Sequence, residues 1–196
     1  MDIDEEGQGG VCPRKSVFIW VHLWLLSARI RTMKREPKPG QKLAPEDFDD
    51  VVRLTPLVAI DLIVLSPDGR ILVGWRSNEP AKGCFFTPGG RISKNETLAA
   101  AFRRISLAEL GVEKQITEAR FVGVYEHFYA TNNHGVEGFG THYVVLAYEL
   151  TAAPEDLQLP KDQHGEFAWL SQLELLSRPD VHDNVKAYFG SVRACG

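Results

Sequence analysis

Apolar and polar positions change rhythm several times along the chain, and each rhythm predicts an element. In LAPEDFDDVVR, Phe48, Val51 and Val52 share one side of a short amphipathic helix, with acidic residues near its start, where the helix dipole favours them. PLVAIDLIVLS is rich in β-branched residues, and PDGR supplies a turn into ILVGWRS, so a hairpin is expected. The glycine-containing loop NEPAKGCFFTPGGR leads into helical periodicity over about 96–110, which Asn95 can cap and Gly111 can end. ARFVGVYEHFYA and THYVVLAYEL read as strands joined by the polar loop TNNHGVEGFG. A short strand, EFAWL, and one or two C-terminal helices complete the chain. No internal repeat or long low-complexity tract interrupts this interleaving, which predicts an α/β or α+β domain with a mixed sheet.

The first forty residues follow a different pattern. DIDEEGQGG is polar, SVFIWVHLWLLSARI is strongly apolar, and RTMKREPKPGQK is basic with two prolines. The apolar run at 17–26 is short of the roughly 20 residues a bilayer span needs. Its flank begins mostly acidic, unlike the basic start of a signal peptide. Residues 1–42 are therefore expected to be a weakly ordered or non-native extension, with the product starting at Met33 and the domain covering 43–196. A weak membrane anchor backed by basic residues is the alternative.

Composition narrows the partners. A net charge of −4 indicates no general attraction to nucleic acid, so an anionic ligand must be held by a local basic cluster. Cys12, Cys84 and Cys195 are odd in number and far apart, with no CxxC pair. That pattern points to reduced thiols in a cytoplasmic protein rather than disulfides or a cysteine–zinc site. His134 and His142 carry no strong functional claim, and no histidine pair has zinc-ligand spacing.

Two carboxylates stand where apolar residues are expected. Leu98, Phe102, Ile105 and Glu109 fall on one helix face, so three apolar residues are followed by a charge. Glu109 also sits in the last turn, where it opposes the helix dipole by about 0.3–1 kcal/mol. If it is desolvated without a partner the penalty is several kcal/mol, which a bound cation would remove. The alternative is that the helix end emerges from the core and Glu109 reaches water. Asp61 lies mid-strand between Ile60 and Leu62, on the face shared by Leu57, Ala59, Ile63 and Leu65, and it too needs a partner.

The segment GGRISKNETLAAAFRRISLAELGV resembles a Nudix box, with Gly90, Glu96, Arg104, Glu109 and Gly111 in register. Ile105 and Ala108 stand where ordinary Nudix hydrolases carry glutamates. With one carboxylate left, a multi-metal site is hard to assemble, since Mg²⁺ favours near-octahedral oxygen ligation. Over about 43–189 the chain resembles the GDP-mannose mannosyl hydrolase branch, which has the same loss. EDFDDVVRLTPLVAIDLIV, FFTPGGRISKNETLAAAF, YEHFYATNN, THYVVLAY and LPKDQHGEFAWL carry this resemblance in order. Gly165 and Phe167 depart from the branch, which has an acid and a tyrosine there.

The resemblance implies a Nudix α/β/α sandwich with a mixed central sheet. It implies hydrolysis of GDP-mannose, or GDP-glucose, to GDP and free hexose, by attack of water at the anomeric carbon with inversion. One Mg²⁺ per subunit would be held by the Gly89 carbonyl, Glu109 and Gln163. Arg76, Arg91 and Arg104 match diphosphate-binding arginines, Arg76 also assisting catalysis; guanidinium donors suit phosphate oxygens. His164 matches the general base, Asp61 a catalytic carboxylate, and His127 and Tyr143 further substrate-binding positions. A homodimer is also implied. Two competing expectations are a conventional pyrophosphohydrolase of a nucleotide sugar and a non-catalytic nucleotide-sugar binding module.

Overall fold

The computed structural model describes residues 37–38, 41–160 and 164–190. The N-terminal extension before residue 37, with its apolar run and Cys12, lies outside the described residues, as do Gln163 and Cys195.

Helix α1 (Pro45–Leu54) has proline in its first turn with Glu46 and Asp47, and Arg53 in its last, the charge order that suits its dipole. Strand β1 (Leu57–Leu65) follows and is buried on both faces for most of its length, which explains its near-continuous apolar run. It forms the expected hairpin with β2 (Ile71–Arg76), closed around Gly69 at φ 83°.

The next segment departs from expectation. The stretch read as a loop contains two short strands, β3 (Phe85–Phe86) on β2 and β4 (Gly89–Arg91) on β1. Helix α2 (Leu98–Leu110) starts two residues later than its periodicity suggested. Thr97 caps it by accepting from the Ala100 N–H, whereas Asn95 sits in the left-handed region at φ 62°. Gly111, at φ 71°, ends the helix as expected, and a Cβ there would lie 2.0 Å from the Gln158 carbonyl oxygen.

Strands β5 (Arg120–Tyr129) and β6 (Thr141–Thr151) pair antiparallel, and β6 runs parallel to β1. Strand β7 (His164–Leu170) begins two residues before the expected EFAWL and pairs with β2, setting His164 opposite Arg76 in register. Helices α3 (Gln172–Ser177) and α4 (Asp183–Lys186) follow.

The result is a mixed seven-stranded sheet with the path β3-β2-β1-β6-β5, to which β4 adds on β1 and β7 on β2. On one face, Phe102, Ile105 and Leu110 of α2 pack against Ile60, Leu62 and Val64 of β1. On the other, Leu175 of α3 and Val185 of α4 pack against Ile71, Val73 and Phe85. A sheet between helices is the expected α/β/α arrangement. Of the four residues predicted to share a buried helix face, Phe102, Ile105 and Glu109 are buried, but Leu98 is 45% exposed. As the first residue of the helix, Leu98 lies one turn beyond the part that covers the sheet.

Candidate active site

A cleft of about 520 Å³ opens on the sheet face opposite α2. Register builds its floor. Asp61 pairs with Gly89 and Ala59 with Arg91, while Tyr143 and Val145 of β6 and His127 of β5 extend the same face. The wall is Phe48 of α1 with His134 of the β5–β6 loop.

Asp61 is 5% exposed. Its Oδ2 accepts the Tyr188 hydroxyl at 2.6 Å and the Thr87 hydroxyl at 3.3 Å. Burial pushes its carboxyl up to about 6; Tyr188, Thr87 and Arg76 oppose the rise, and the neighbouring Glu109 charge adds to it. Gly89 is required beside it, because a Cβ there would stand 2.6 Å from Asp61 Oδ1 and 2.7 Å from the Ile60 carbonyl oxygen. Glu109 is buried, at 5% exposure, so the helix end does not carry it into water.

Ile105 is 1% exposed, and a Cβ on Gly90 would meet its Cγ1 at 3.1 Å. The position where a second inward carboxylate would stand is thus filled by core packing. Ala108 is exposed. Among the described residues, no group of three or more histidine, cysteine, aspartate or glutamate side chains is placed to hold a metal ion.

His127 is 2% exposed, and its Nε2 lies 3.2 Å from the Tyr188 hydroxyl. Burial, with the neighbouring His182, lowers its pKa to about 4, so the ring is neutral at pH 7. Burial and Asp61 push the Tyr188 phenol far above its usual range. Burial likewise raises Tyr143, against Arg91 and Arg76.

The arginines separate. Arg76 lines the cleft with its guanidinium 5.8 Å from the centre of the Phe86 ring, and its buried Nε has no hydrogen-bond partner. Arg91 also lines the cleft, stacked 4.2 Å over the Phe48 ring. Arg104 is held elsewhere. It donates to both carboxylate oxygens of Glu96, at 2.7 and 2.8 Å, and to the Arg91 carbonyl at 2.8 Å.

The fold therefore brings Asp61, Arg76, Gly89, Arg91, His127 and Tyr143 to one cleft and sets Glu109 near Asp61. His164 is anchored by its backbone opposite Arg76. Tyr188, bonded to Asp61 beneath the cleft, carries no local sequence signal; Thr87, two residues before the glycine pair, and Phe48, on the apolar side of α1, both line the cleft. His134 pairs with Asp49 at 2.6 Å and meets the Phe48 ring edge-on. Cys84 is a free thiol.

The NUDIX domain family matches residues 55–189. The low-salt glycan biosynthesis protein Agl8 of Haloferax volcanii is 37% identical over 158 residues, covering 79% of this chain and 94% of that protein. An ADP-ribose pyrophosphatase of Methanocaldococcus jannaschii is 39% identical over 72 residues, 37% of this chain and 41% of that one. The crystal structure of a MutT NUDIX hydrolase from Burkholderia pseudomallei superposes with a TM-score of 0.57 at 26% identity, covering 70% of this chain and 98% of that one. A MutT protein from Methanosarcina mazei gives 0.55 at 17% identity, over 69% and 92% of the respective chains.

Proposed function

Because the chain belongs to the Nudix family, we propose that it hydrolyses a GDP-hexose, GDP-mannose or GDP-glucose, to GDP and free sugar by attack of water at the anomeric carbon. The observation that carries this reading is Ile105. Its packing against Gly90 leaves Glu109 as the inward carboxylate of the box helix, too little for the several-metal cluster with which conventional Nudix hydrolases attack phosphorus. The relative named for glycan biosynthesis supports a sugar-containing substrate.

The donor set suits one Mg²⁺ per subunit. Glu109 and the Gly89 carbonyl are hard oxygen donors, and a divalent cation there would offset the repulsion that the Glu109 charge exerts on Asp61. Gln163 is the further proposed ligand. When bound, the ion supplies Lewis-acid neutralisation of charge on the departing diphosphate.

The chain's own residues do the rest. Arg76 offers its unpartnered Nε–H to a phosphate oxygen, and Arg91, stiffened by Phe48, offers its paired donors. Arg104 braces the strand that carries Arg91. His164 accepts a proton from water as the water oxygen bonds to the anomeric carbon and the bond to the diphosphate oxygen breaks, inverting the centre. Asp61 lies beside the sugar and favours the positive charge that develops there. His127 and Tyr143 form the floor of the sugar subsite.

The enzyme is proposed to act as a cytoplasmic homodimer. Strand β5 ends the sheet path with Val124 59% and Phe128 67% exposed, a surface a second copy can cover. Among the described residues, no helix is long and apolar enough to cross a membrane.

A second reading, diphosphate cleavage to GMP and sugar phosphate, is favoured by the local identity to an ADP-ribose pyrophosphatase. Reaction in ¹⁸O water decides between them. Label in free hexose is expected, and label in phosphate would overturn the first reading. Wild-type protein with Mg²⁺ that binds a GDP-hexose without turning it over would instead mark a binding module.

A further inference from the structure

Tyr188 follows α4, 127 residues from Asp61 in sequence, yet its hydroxyl is buried between two cleft residues. A phenol has one proton to give. The ionised Asp61 carboxylate, 2.6 Å away, can only accept, so the Tyr188 O–H is directed at Asp61 Oδ2. The Tyr188 oxygen must then accept at its second contact, which makes His127 Nε2, 3.2 Å away, the donor. Only one neutral tautomer of His127 fits, the one protonated at Nε2. The ring of Tyr188 is itself held edge-on by Tyr125 at 4.7 Å, with Ile63 and Ala147 in the same packed cluster.

We propose that Tyr188 is the positioning residue that aims Asp61, ordering a one-way chain from His127 Nε2–H through the phenol to Oδ2. Oδ2 is thereby occupied by Tyr188 and Thr87, and Oδ1 is the oxygen set against Gly89 at the cleft floor. The chain also leaves the lone pair of His127 on Nδ1. Any acceptor role of His127 in the cleft therefore falls to that nitrogen. A carboxylate free to rotate would divide its time between two oxygens and two directions. Locking the phenol to one of them fixes which oxygen meets the reacting sugar, a preorganisation that costs nothing at the moment of reaction.

This inference rests on the proposed role of Asp61 in GDP-hexose hydrolysis, so its test has readouts with and without turnover. In wild-type protein, ¹⁵N NMR of the imidazole is expected to show the Nε2–H tautomer at His127; the Nδ1–H tautomer would overturn the chain and requires no variant. Tyr188→Phe removes one oxygen atom and keeps the ring. Its kcat is expected to fall about 10–100-fold with KM within about twofold, as for loss of a partner that orients a site ligand. The ¹⁵N signal should shift toward mixed tautomers. Wild-type kcat in Tyr188→Phe would overturn the proposal. If no GDP-hexose is turned over by the wild type, the reaction reading fails by itself. The positioning claim is then decided by whether the melting shifts of Tyr188→Phe and Asp61→Asn add. Non-additive shifts support direct coupling, and additive shifts refute it.

Discussion

Replacing Asp61 by asparagine should stabilise the metal-free protein at neutral pH while removing its activity. Raising the buried carboxyl from an ordinary 3.8 to about 6 corresponds to about 3 kcal/mol at about 1.4 kcal/mol per tenfold in proton affinity. The direction follows from proton binding. Between those two values the folded protein holds a proton that the unfolded chain has released, so wild-type stability falls as pH rises through the interval. The loss is absent below about 3.8, where both states are protonated, and complete above about 6, where both are ionised. Asparagine does not titrate, and its carbonyl can still accept from Tyr188. The neutral hydrogen bond is weaker than the charged one, which trims the expected gain to about 1–3 kcal/mol at pH 8.

For a domain of this size, each kcal/mol moves the melting temperature by about 2–4 °C, so Asp61→Asn should melt about 2–12 °C higher. The assay is urea and thermal unfolding of both proteins in EDTA from pH 3.5 to pH 8. Other titrating groups are common to both and cancel in the difference. The advantage of the variant should grow from near zero at the acid end to a plateau above pH 7. Added Mg²⁺ should shrink it, because a cation held beside Glu109 offsets the buried charge of Asp61 that asparagine lacks, and so stabilises the wild type more than the variant. A variant less stable than wild type at pH 8, or a difference that ignores pH, would refute the buried-charge argument.

Two further outcomes come from the geometry and one from the proposed role of His164. Gly89→Ala places a methyl 2.6 Å from Asp61 Oδ1 and 2.7 Å from a backbone oxygen, so it should cost about 1–3 kcal/mol by unfolding and also depress turnover. Arg104→Ala removes the partner of Glu96, whose side chain is 5% exposed; with Arg104 itself 39% exposed, about 1–2 kcal/mol of stability should be lost. Its KM for a GDP-hexose should stay within about threefold, and a tenfold rise would return Arg104 to the diphosphate. His164→Ala should lower kcat by about 10²–10⁴ with GDP affinity unchanged, as for a general base; full turnover would remove His164 from that role.

Asp61 and Glu109 were legible because each breaks a rhythm, one a strand and the other a helix face. A charge in an apolar series is conspicuous wherever its partners lie. The partners were not legible for the same reason that the charges were. Tyr188 meets Asp61 across 127 residues, and nothing in AYFG distinguishes a phenol that donates from one that packs. Strands β3 and β4 were missed because two and three residues cannot display a period; pairing with β2 and β1 creates them. Arg104 shows the limit of a motif. Register places it in the box, but Glu96, eight residues earlier, captures its Nε–Nη2 edge through contacts that spacing does not reveal.

The layout of the floor explains why the chemistry is built on short, glycine-bearing strand β4. Alternate residues on a strand share a face and lie about 7 Å apart. Gly89 and Arg91 therefore stand on one face of β4, opposite Asp61 and Ala59 on β1. That places a cation and a carboxylate diagonally across the strand pair, with a small residue directly opposite each. For the proposed GDP-hexose, a diphosphate over Arg91 would direct the adjoining sugar toward Asp61. Reversing the diagonal would set the diphosphate against the buried Asp61 carboxylate, which burial and, to a lesser extent, the Glu109 charge already disfavour as an anion. On the proposed reading, the register itself would favour one orientation of an anionic, sugar-bearing substrate. Any side chain at position 89 would break that diagonal at the point where the carboxylate must face the sugar.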